Sequence, residues 1–184
     1  MLRVLTGTAK GRNLKVPKGQ KIRPMTSRVK KSVFDTLGDI SEMKVLDIFA
    51  GSGGLGIESI SRGAAHVTAI EKDPLVFKII KENYEHCGFT DKASLICFDY
   101  KVALAKLRSK NEVFDLIFID PPYKLYSTLE VKDFILDVEE LLDDDGVIVI
   151  EHNYKTEDTP PPGFARFTKP FGETQVSYFR KGEQ

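Results

Sequence analysis

Lys44-Val-Leu-Asp47-Ile-Phe-Ala-Gly51-Ser-Gly53-Gly54-Leu-Gly56 is the stretch on which the reading of the fold turns. Its first half, Lys44–Phe49, is a short and mostly apolar run of strand length, and a helix is predicted just beyond, over Leu55–Arg62. Between them Gly51, Gly53 and Gly56 fall into the spacing Gly-x-Gly-x-x-Gly, which allows a tight turn and close approach of a ligand to the backbone. A second predicted strand, His66–Glu71, ends on a carboxylate 20 residues after Gly51. At that place an acid can accept hydrogen bonds from both hydroxyls of a ribose. A strand, a glycine turn, a helix and a distant acid together predict a nucleoside site.

Outward from this unit the alternation continues. A helix is predicted over Pro74–His86, a strand over Ala93–Phe98, a helix over Tyr100–Ser109 and a strand over Phe114–Asp120. Thr128–Leu142 reads as a further helix and Gly146–Glu151 as a fifth strand. Near-continuous apolar strands that alternate with helices predict a mostly parallel sheet covered on both faces. Beyond the loop Asp158–Gly163, two segments around Gly172 (Ala165–Phe171 and Gln175–Arg180) read as a closing antiparallel hairpin. At the other end, residues 2–5 and 13–16 read as short strands joined by the turn Gly7–Gly11, and a basic loop spans Lys18–Pro24. Thr26 or Ser27 caps a helix to Leu37, with Val29, Val33, Phe34 and Leu37 on one face. The expectation is an α/β, Rossmann-like single domain over residues 1–184, in which a basic β-hairpin and helix extension (1–38) precedes the core (39–184).

The apolar share of 41% and charged share of 29% belong to an ordinary water-soluble domain. No run approaches eighteen apolar residues, which excludes a spanning helix, and the start MLRVLTGTAK lacks the apolar core of a signal peptide, so a cytoplasmic location is expected. Cys87 and Cys97 have no Cys-x-x-Cys or Cys/His company and read as reduced thiols, with no metal site implied. The net charge of zero hides an asymmetry. Ten Lys or Arg and no acid lie in the first 34 residues, against 17 basic and 27 acidic groups in the rest. Such a block suggests contact with a polyanion, and phosphate is the natural partner.

Asp120-Pro121-Pro122-Tyr123 ends the strand from Phe114. Two successive prolines give a stiff corner without backbone donors. That corner shows the Asp120 carboxylate and the Pro121 carbonyl side by side, with the Tyr123 ring close behind. Two acceptors and a stacking surface suit a planar amino group on an aromatic base. Asp47 stands before the glycines, where it would repel a pyrophosphate but could anchor an amino-acid ammonium group, or merely cap the following turn. Asp99, in Phe98-Asp99-Tyr100, is placed to accept from an adenine amine or to cap the next helix. Asp47, Glu71, Asp99 and Asp120 thus end four strands on the carboxyl edge, where open α/β sheets bind ligands. S-adenosylmethionine fits these partners in turn: ammonium, ribose, adenine amine and methyl acceptor.

On these residues the chain resembles a class I S-adenosylmethionine methyltransferase. More narrowly, it is similar to the RsmD family of bacterial small-subunit ribosomal RNA guanine-N2 methyltransferases. The likeness rests on Thr6-Gly7-Thr8-Ala9-Lys10-Gly11-Arg12, on Arg23-Pro24-Met25-Thr26-Ser27-Arg28-Val29-Lys30 with Val33-Phe34, on Asp47–Gly53, on Glu71 and on Asp120–Tyr123. The resemblance implies a seven-stranded fold, S-adenosylmethionine as donor and a guanine of 16S rRNA, free or in a small-subunit assembly particle, as acceptor. It places Asp120, Pro121, Pro122 and Tyr123 at the acceptor, and Asp47, Gly51, Gly53, Glu71, the alkyl stem of Lys72, Asp99 and Tyr100 at the donor. Lys10, Arg12, Arg23, Thr26, Arg28, Lys30 and Lys31 would face RNA. A monomer without metal is expected. DNA adenine or a protein glutamine are alternative acceptors. An NAD(P)-linked oxidoreductase would explain only the glycine loop, and a non-catalytic assembly factor would leave the acceptor motif unexplained.

Overall fold

The computed structural model describes residues 2–17 and 25–182, and Tyr123 by its backbone alone. The basic loop over Lys18–Pro24, and with it Arg23, lies outside the described residues. The chain divides into two compact units, residues 1–100 and 101–184.

The first unit opens with a two-stranded antiparallel ribbon, β1 (Leu2–Arg3) and β2 (Asn13–Leu14). Helix α1 (Ser27–Leu37) follows, with the limits the sequence predicts. The Thr26 hydroxyl accepts the Val29 N–H at 3.3 Å, and Gly38 ends the helix at φ 75°, in the left-handed region that favours glycine. Strands β3 (Lys44–Ile48), β4 (His66–Ile70) and β5 (Ala93–Ile96) pair in parallel in the order β5-β4-β3. Helices α2 (Gly54–Ser61) and α3 (Pro74–Cys87) connect them. Asp73 caps α3 by accepting the Leu75 and Val76 N–H groups, and Pro74 fills the first turn, where its missing N–H costs nothing. Val45, Leu46, Ile48, Val67, Ala69 and Ile70 are almost wholly buried, as strands covered on both faces require. Truncating one of the larger of them to Ala should cost about 2–5 kcal/mol.

The second unit holds most of helix α4 (Tyr100–Ser109), then strand β6 (Phe114–Ile119) and a 3₁₀ turn over Tyr123–Ser127. Helix α5 (Val131–Val138) and a long strand β7 (Leu142–Asn153) come next. Here the prediction of one helix from Thr128 to Leu142 is corrected. Glu130 and Asp133 form a reciprocal capping box that starts α5 only at Val131, and a 3₁₀ turn at Glu139–Leu141 closes it. Strands β8 (Phe164–Phe171) and β9 (Thr174–Lys181) make the expected hairpin, and the local order is β6-β7-β9-β8. β6 and β7 run parallel, whereas β7–β9 and β8–β9 are antiparallel. The fold is therefore α/β, with a seven-stranded, mostly parallel sheet and an antiparallel C-terminal hairpin.

Candidate active site

In the first unit the glycine loop is held from below. The Glu71 carboxylate accepts the Gly51 N–H through Oε2 at 3.0 Å and the Asp73 N–H through Oε1 at 2.9 Å. Each oxygen keeps a further lone pair, and the residue is half-buried, so the carboxylate remains able to meet a diol. Gly51 adopts φ 55°, and a Cβ there would meet only the Phe49 carbonyl, at 3.9 Å. This glycine leaves open space above the loop, as a bound nucleoside needs. Gly53 and Gly56 do something else. A Cβ on Gly53 would come within 2.9 Å of Ile80 and Tyr84, and one on Gly56 within 2.2 Å of the Tyr84 hydroxyl. These two glycines let α2 pack against its own neighbours, and only at Gly51 is the space beside the loop open.

Asp47 is 1% exposed, and its Oδ2 accepts the Gly56 N–H at 3.0 Å. The alternative in which it caps the turn is realised, with no open approach to a ligand's ammonium group. Burial pushes its pKa up to about 7. The Gly56 N–H opposes that rise, and the Glu71 carboxylate adds to it. The acid is therefore half-neutral near physiological pH, and a cation brought close would favour its charged form. The Tyr84 hydroxyl beside it is wholly buried without a hydrogen-bond partner. Burial first, then the Asp47 charge, hold that phenol well above its ordinary pKa.

Asp99 and Lys72 are exposed, and Tyr100 is buried with its ring 4.9 Å from that of Phe49. Phe49 has φ 64°, a conformation a bulky residue adopts only when its surroundings impose it. It stands at the end of β3 where the glycine loop begins. Sequence reading missed it, although a large aromatic between Asp47 and Gly51 was the available sign. Asn83 was missed too. Its Oδ1 accepts the Lys15 N–H, and its Nδ2 donates to the Lys15 and Ser52 carbonyls, which ties the glycine loop to the segment after β2. A buried amide on the apolar stripe of α3 (Val76, Ile80, Tyr84, Cys87) is the signal that could have found it.

In the second unit β6 leads into Asp120-Pro121-Pro122-Tyr123. Asp120 is half-buried, Pro121 buried and Pro122 exposed. The Pro122 carbonyl accepts the Leu125 N–H at 2.9 Å and so starts the 3₁₀ turn that carries Tyr123. Tyr126 closes that turn onto the sheet, donating its hydroxyl to the Glu151 carbonyl at 2.8 Å and packing edge-on against Phe134. The motif thus stands on a braced loop, and Tyr126 is a further residue that sequence reading passed over.

The basic segment needs a correction. Lys30 is 1% exposed, and its ammonium lies 3.0 Å from Glu58 Oε2 and 2.8 Å from the Arg3 carbonyl that accepts it. It cannot also meet phosphate. Burial lowers the Lys30 pKa against the pull of Glu58. Glu58 in turn accepts the Leu5 and Thr6 N–H groups and Arg62 Nε, so one buried carboxylate fastens β1 and the following turn to α2. Gly7, at φ 84°, completes the attachment, since a Cβ there would fall 1.6 Å from the Ser61 carbonyl oxygen. Of the other cations in the block, Lys10 and Arg28 are exposed. Arg12 donates to the His86 carbonyl, Lys15 pairs with Glu82 and Lys31 with Asp35. Among the described residues no group of His, Cys, Asp and Glu could hold a metal ion, and no helix is long and apolar enough to cross a membrane.

A seven-stranded sheet with an antiparallel last hairpin, a glycine loop after its first long strand and Asp-Pro-Pro-Tyr after another define a class I methyltransferase. The chain belongs to the RsmD family, whose profile, described as "Conserved hypothetical protein 95", matches residues 2–180. It is 34% identical over 151 residues to the ribosomal RNA small subunit methyltransferase D of Escherichia coli, covering 82% of this chain and 74% of that protein. It is 36% identical over 183 residues to YlbH of Bacillus subtilis, a candidate rRNA methyltransferase, covering 98% and 99% of the two chains. Among solved structures, the Escherichia coli protein yhhF matches with a TM-score of 0.85 at 28% identity over 100% of this chain and 99% of that one.

Proposed function

We propose that this protein transfers a methyl group from S-adenosylmethionine to the exocyclic N2 of a guanine in 16S rRNA, acting as a cytoplasmic monomer on the free RNA or on a small-subunit assembly particle. The observation that carries the reading is the braced Asp120–Tyr123 turn at the end of β6, with a half-buried carboxylate beside a rigid double proline. In the first unit, Glu71 and the open backbone at Gly51 are suited to a ribose, and the likeness to the small-subunit methyltransferase of Escherichia coli supports both donor and acceptor. The donor would supply an electrophilic methyl group on a sulfonium, whose S–C bond breaks as the N–C bond forms and which leaves as a neutral thioether.

The chain's residues supply position and charge. The acceptor amine has its lone pair delocalised into the ring and is a poor nucleophile. Asp120 and the Pro121 carbonyl accept its two N–H groups, which raises the electron density on nitrogen and fixes its direction. When the new N–C bond forms, the amine loses a proton, and Asp120 passes it to solvent. Tyr123 stacks on a base that has left its helix or loop. Lys10, Arg12, Arg23, Arg28 and Lys31 meet phosphates, and the N-terminus of α1 behind its Thr26 cap favours the same charge.

The test is a pair of variants. Asp120→Ala should lower the rate of transfer by a hundredfold or more, on the order of the loss of one positioned transition-state contact, with donor affinity unchanged. Glu71→Ala should weaken donor binding by about 2 kcal/mol, since a charged acceptor is lost. Donor binding that vanishes together with activity in Asp120→Ala would move that carboxylate to the donor. Mass mapping of rRNA from a deletion strain identifies the base, and an unmethylated adenine or glutamine elsewhere would name a different acceptor.

A further inference from the structure

The C-terminal hairpin has a face that the proposed mechanism does not use. Phe118, Val149, Tyr178 and Phe167 form one row across β6, β7, β9 and β8, since Phe118 pairs with Val149, Val149 with Tyr178 and Tyr178 with Phe167. Side chains in one row point to one face of the sheet. Their exposures are 0%, 1%, 6% and 53%, so the cover over this face ends at Tyr178 and leaves Phe167 in the open. The Phe167 ring lies 5.9 Å from that of Tyr178, and the Lys169 ammonium lies 5.7 Å from the Phe167 centroid.

The neighbouring rows add charge. Lys169 pairs across β9 with Val176, which pairs with Glu151. Ile119 pairs with Ile150, so Asp120 is one residue further, in the row of Glu151, Val176 and Lys169. Lys169 is therefore three strand spacings from the Asp120 position, about 14 Å, on the same face. On the other side of Phe167, Ala165 pairs with the exposed Arg180. From Phe164 to Gly182 the hairpin holds Arg166, Lys169, Arg180 and Lys181 against one acid, Glu173.

We propose that this face is an RNA-stacking surface, on which Phe167, flanked by Lys169 and Arg180, receives an unpaired base of the strand that delivers the target base. The inference rests on the RNA substrate proposed above. An aromatic ring with cations at its rim matches the two parts of a single-stranded nucleic acid, the π-face of a base and the phosphate beside it. An apolar protein surface would meet Lys169 and Arg180 instead of a continuous apolar patch. Addition of a partner's strand is opposed as well, because β8 is the outer strand and Pro170 lacks an N–H on it.

The experiment measures binding of the full chain to a ten-nucleotide unpaired RNA of mixed sequence and to a duplex RNA. Phe167→Ala should weaken the unpaired RNA roughly five- to a hundredfold, the effect of one stacked base, and leave duplex binding, melting temperature and donor affinity unchanged. Phe167→Trp should keep the parent's affinity, and Phe167→Leu should lose it as Ala does. An Ala variant that binds unpaired RNA like the parent overturns the assignment. A Leu variant equal to the parent also overturns it and gives the patch to an apolar protein partner. If the parent methylates rRNA while Phe167→Ala has the same KM for RNA, only the hairpin assignment fails. If the parent binds neither RNA, the RNA substrate itself is wrong and the hairpin assignment falls with it.

Discussion

The N-terminal basic segment and the C-terminal hairpin both carry more cations than acids, ten to none in the first 34 residues and four to one from Phe164 to Gly182. In the first segment Arg12, Lys15, Lys30 and Lys31 each meet an acceptor of the chain itself, and Lys30 does so in complete burial. In the hairpin Arg166 and Lys181 are likewise held, by Asp158 and Asp144, and Lys169 lies over the exposed Phe167 ring. A count of charges therefore says little about which cations are offered to a partner. What lies next to each ammonium or guanidinium group decides it. Lys30 gives up phosphate to close a buried knot with Glu58, whereas Lys169 gains an aromatic neighbour that a base could share.

The largest expected effect tests that knot. Removing one partner of a buried ion pair leaves the other charge uncompensated, which costs about 3–5 kcal/mol. Lys30→Gln should therefore lower the melting temperature sharply, because Glu58 also holds the Leu5 and Thr6 N–H groups. In the cold, where the variant is still folded, the salt dependence of RNA binding should equal the parent's. A variant as stable as the parent would remove Lys30 from the anchoring role and return it to the surface set.

The hairpin is fastened around a buried imidazole, and this gives it a different response to pH. His152 is buried, with Nε2 2.8 Å from Ser177 Oγ, while Asp158 Oδ2 accepts the Ser177 and Thr168 hydroxyls. Burial lowers the His152 pKa below its usual 6.5, against the attraction of Asp158 and together with the repulsion of Arg166. The unfolded chain then takes up a proton that the folded chain resists, so the His152 contribution to stability falls as pH drops through 6.5, while Asp47, raised to about 7, works the other way over the same range. Relative to the parent, His152→Gln should gain stability at pH 5.5 over pH 7.5, read as the difference between its urea midpoints at the two values. An unchanged separation in the variant would place the acid sensitivity elsewhere.

Much of the fold was legible, for reasons that differ by element. Helix α1 was read to its ends because Thr26 and Gly38 are local signals that act within one turn. The break between the 3₁₀ turn at Tyr123–Ser127 and α5 was not, since apolar periodicity runs through Leu129 and Val131 and only the Glu130–Asp133 box interrupts it. In the glycine loop, Glu71 stands where spacing put it and holds the Gly51 N–H, whereas Asp47, Gly53 and Gly56 turned out to pack against Tyr84 and α2, partners that lie far along the chain. Lys30 was misread for the same reason, as Glu58 is 28 residues away. One sign was present, however: Lys30 is four residues before Phe34 and next to Val29, on the apolar face of its own helix.

Exposed cations of the first segment should give a smaller effect, and on binding alone. Lys10→Gln and Arg28→Gln should each flatten the log–log salt slope of RNA binding by about one unit, with stability within about 0.5 kcal/mol of the parent. A slope that stays the same in the double variant would show that neither meets phosphate.

Lys31 provides the smallest and most discriminating case. It is exposed and pairs with Asp35 one turn later at 2.6 Å, in the i, i+4 arrangement. Such surface pairs contribute about 0.3–0.5 kcal/mol, so Lys31→Gln should barely move stability. If Lys31 meets phosphate, it must first leave Asp35, and the carboxylate it leaves behind repels the RNA. Removing the acid should then help: Asp35→Asn should tighten RNA binding at low salt, and the effect should fade as salt screens it. Were Lys31 fixed to Asp35 as Lys30 is to Glu58, Asp35→Asn would leave RNA affinity where it was. The sign of that single change therefore separates a cation offered to a partner from one held by the fold.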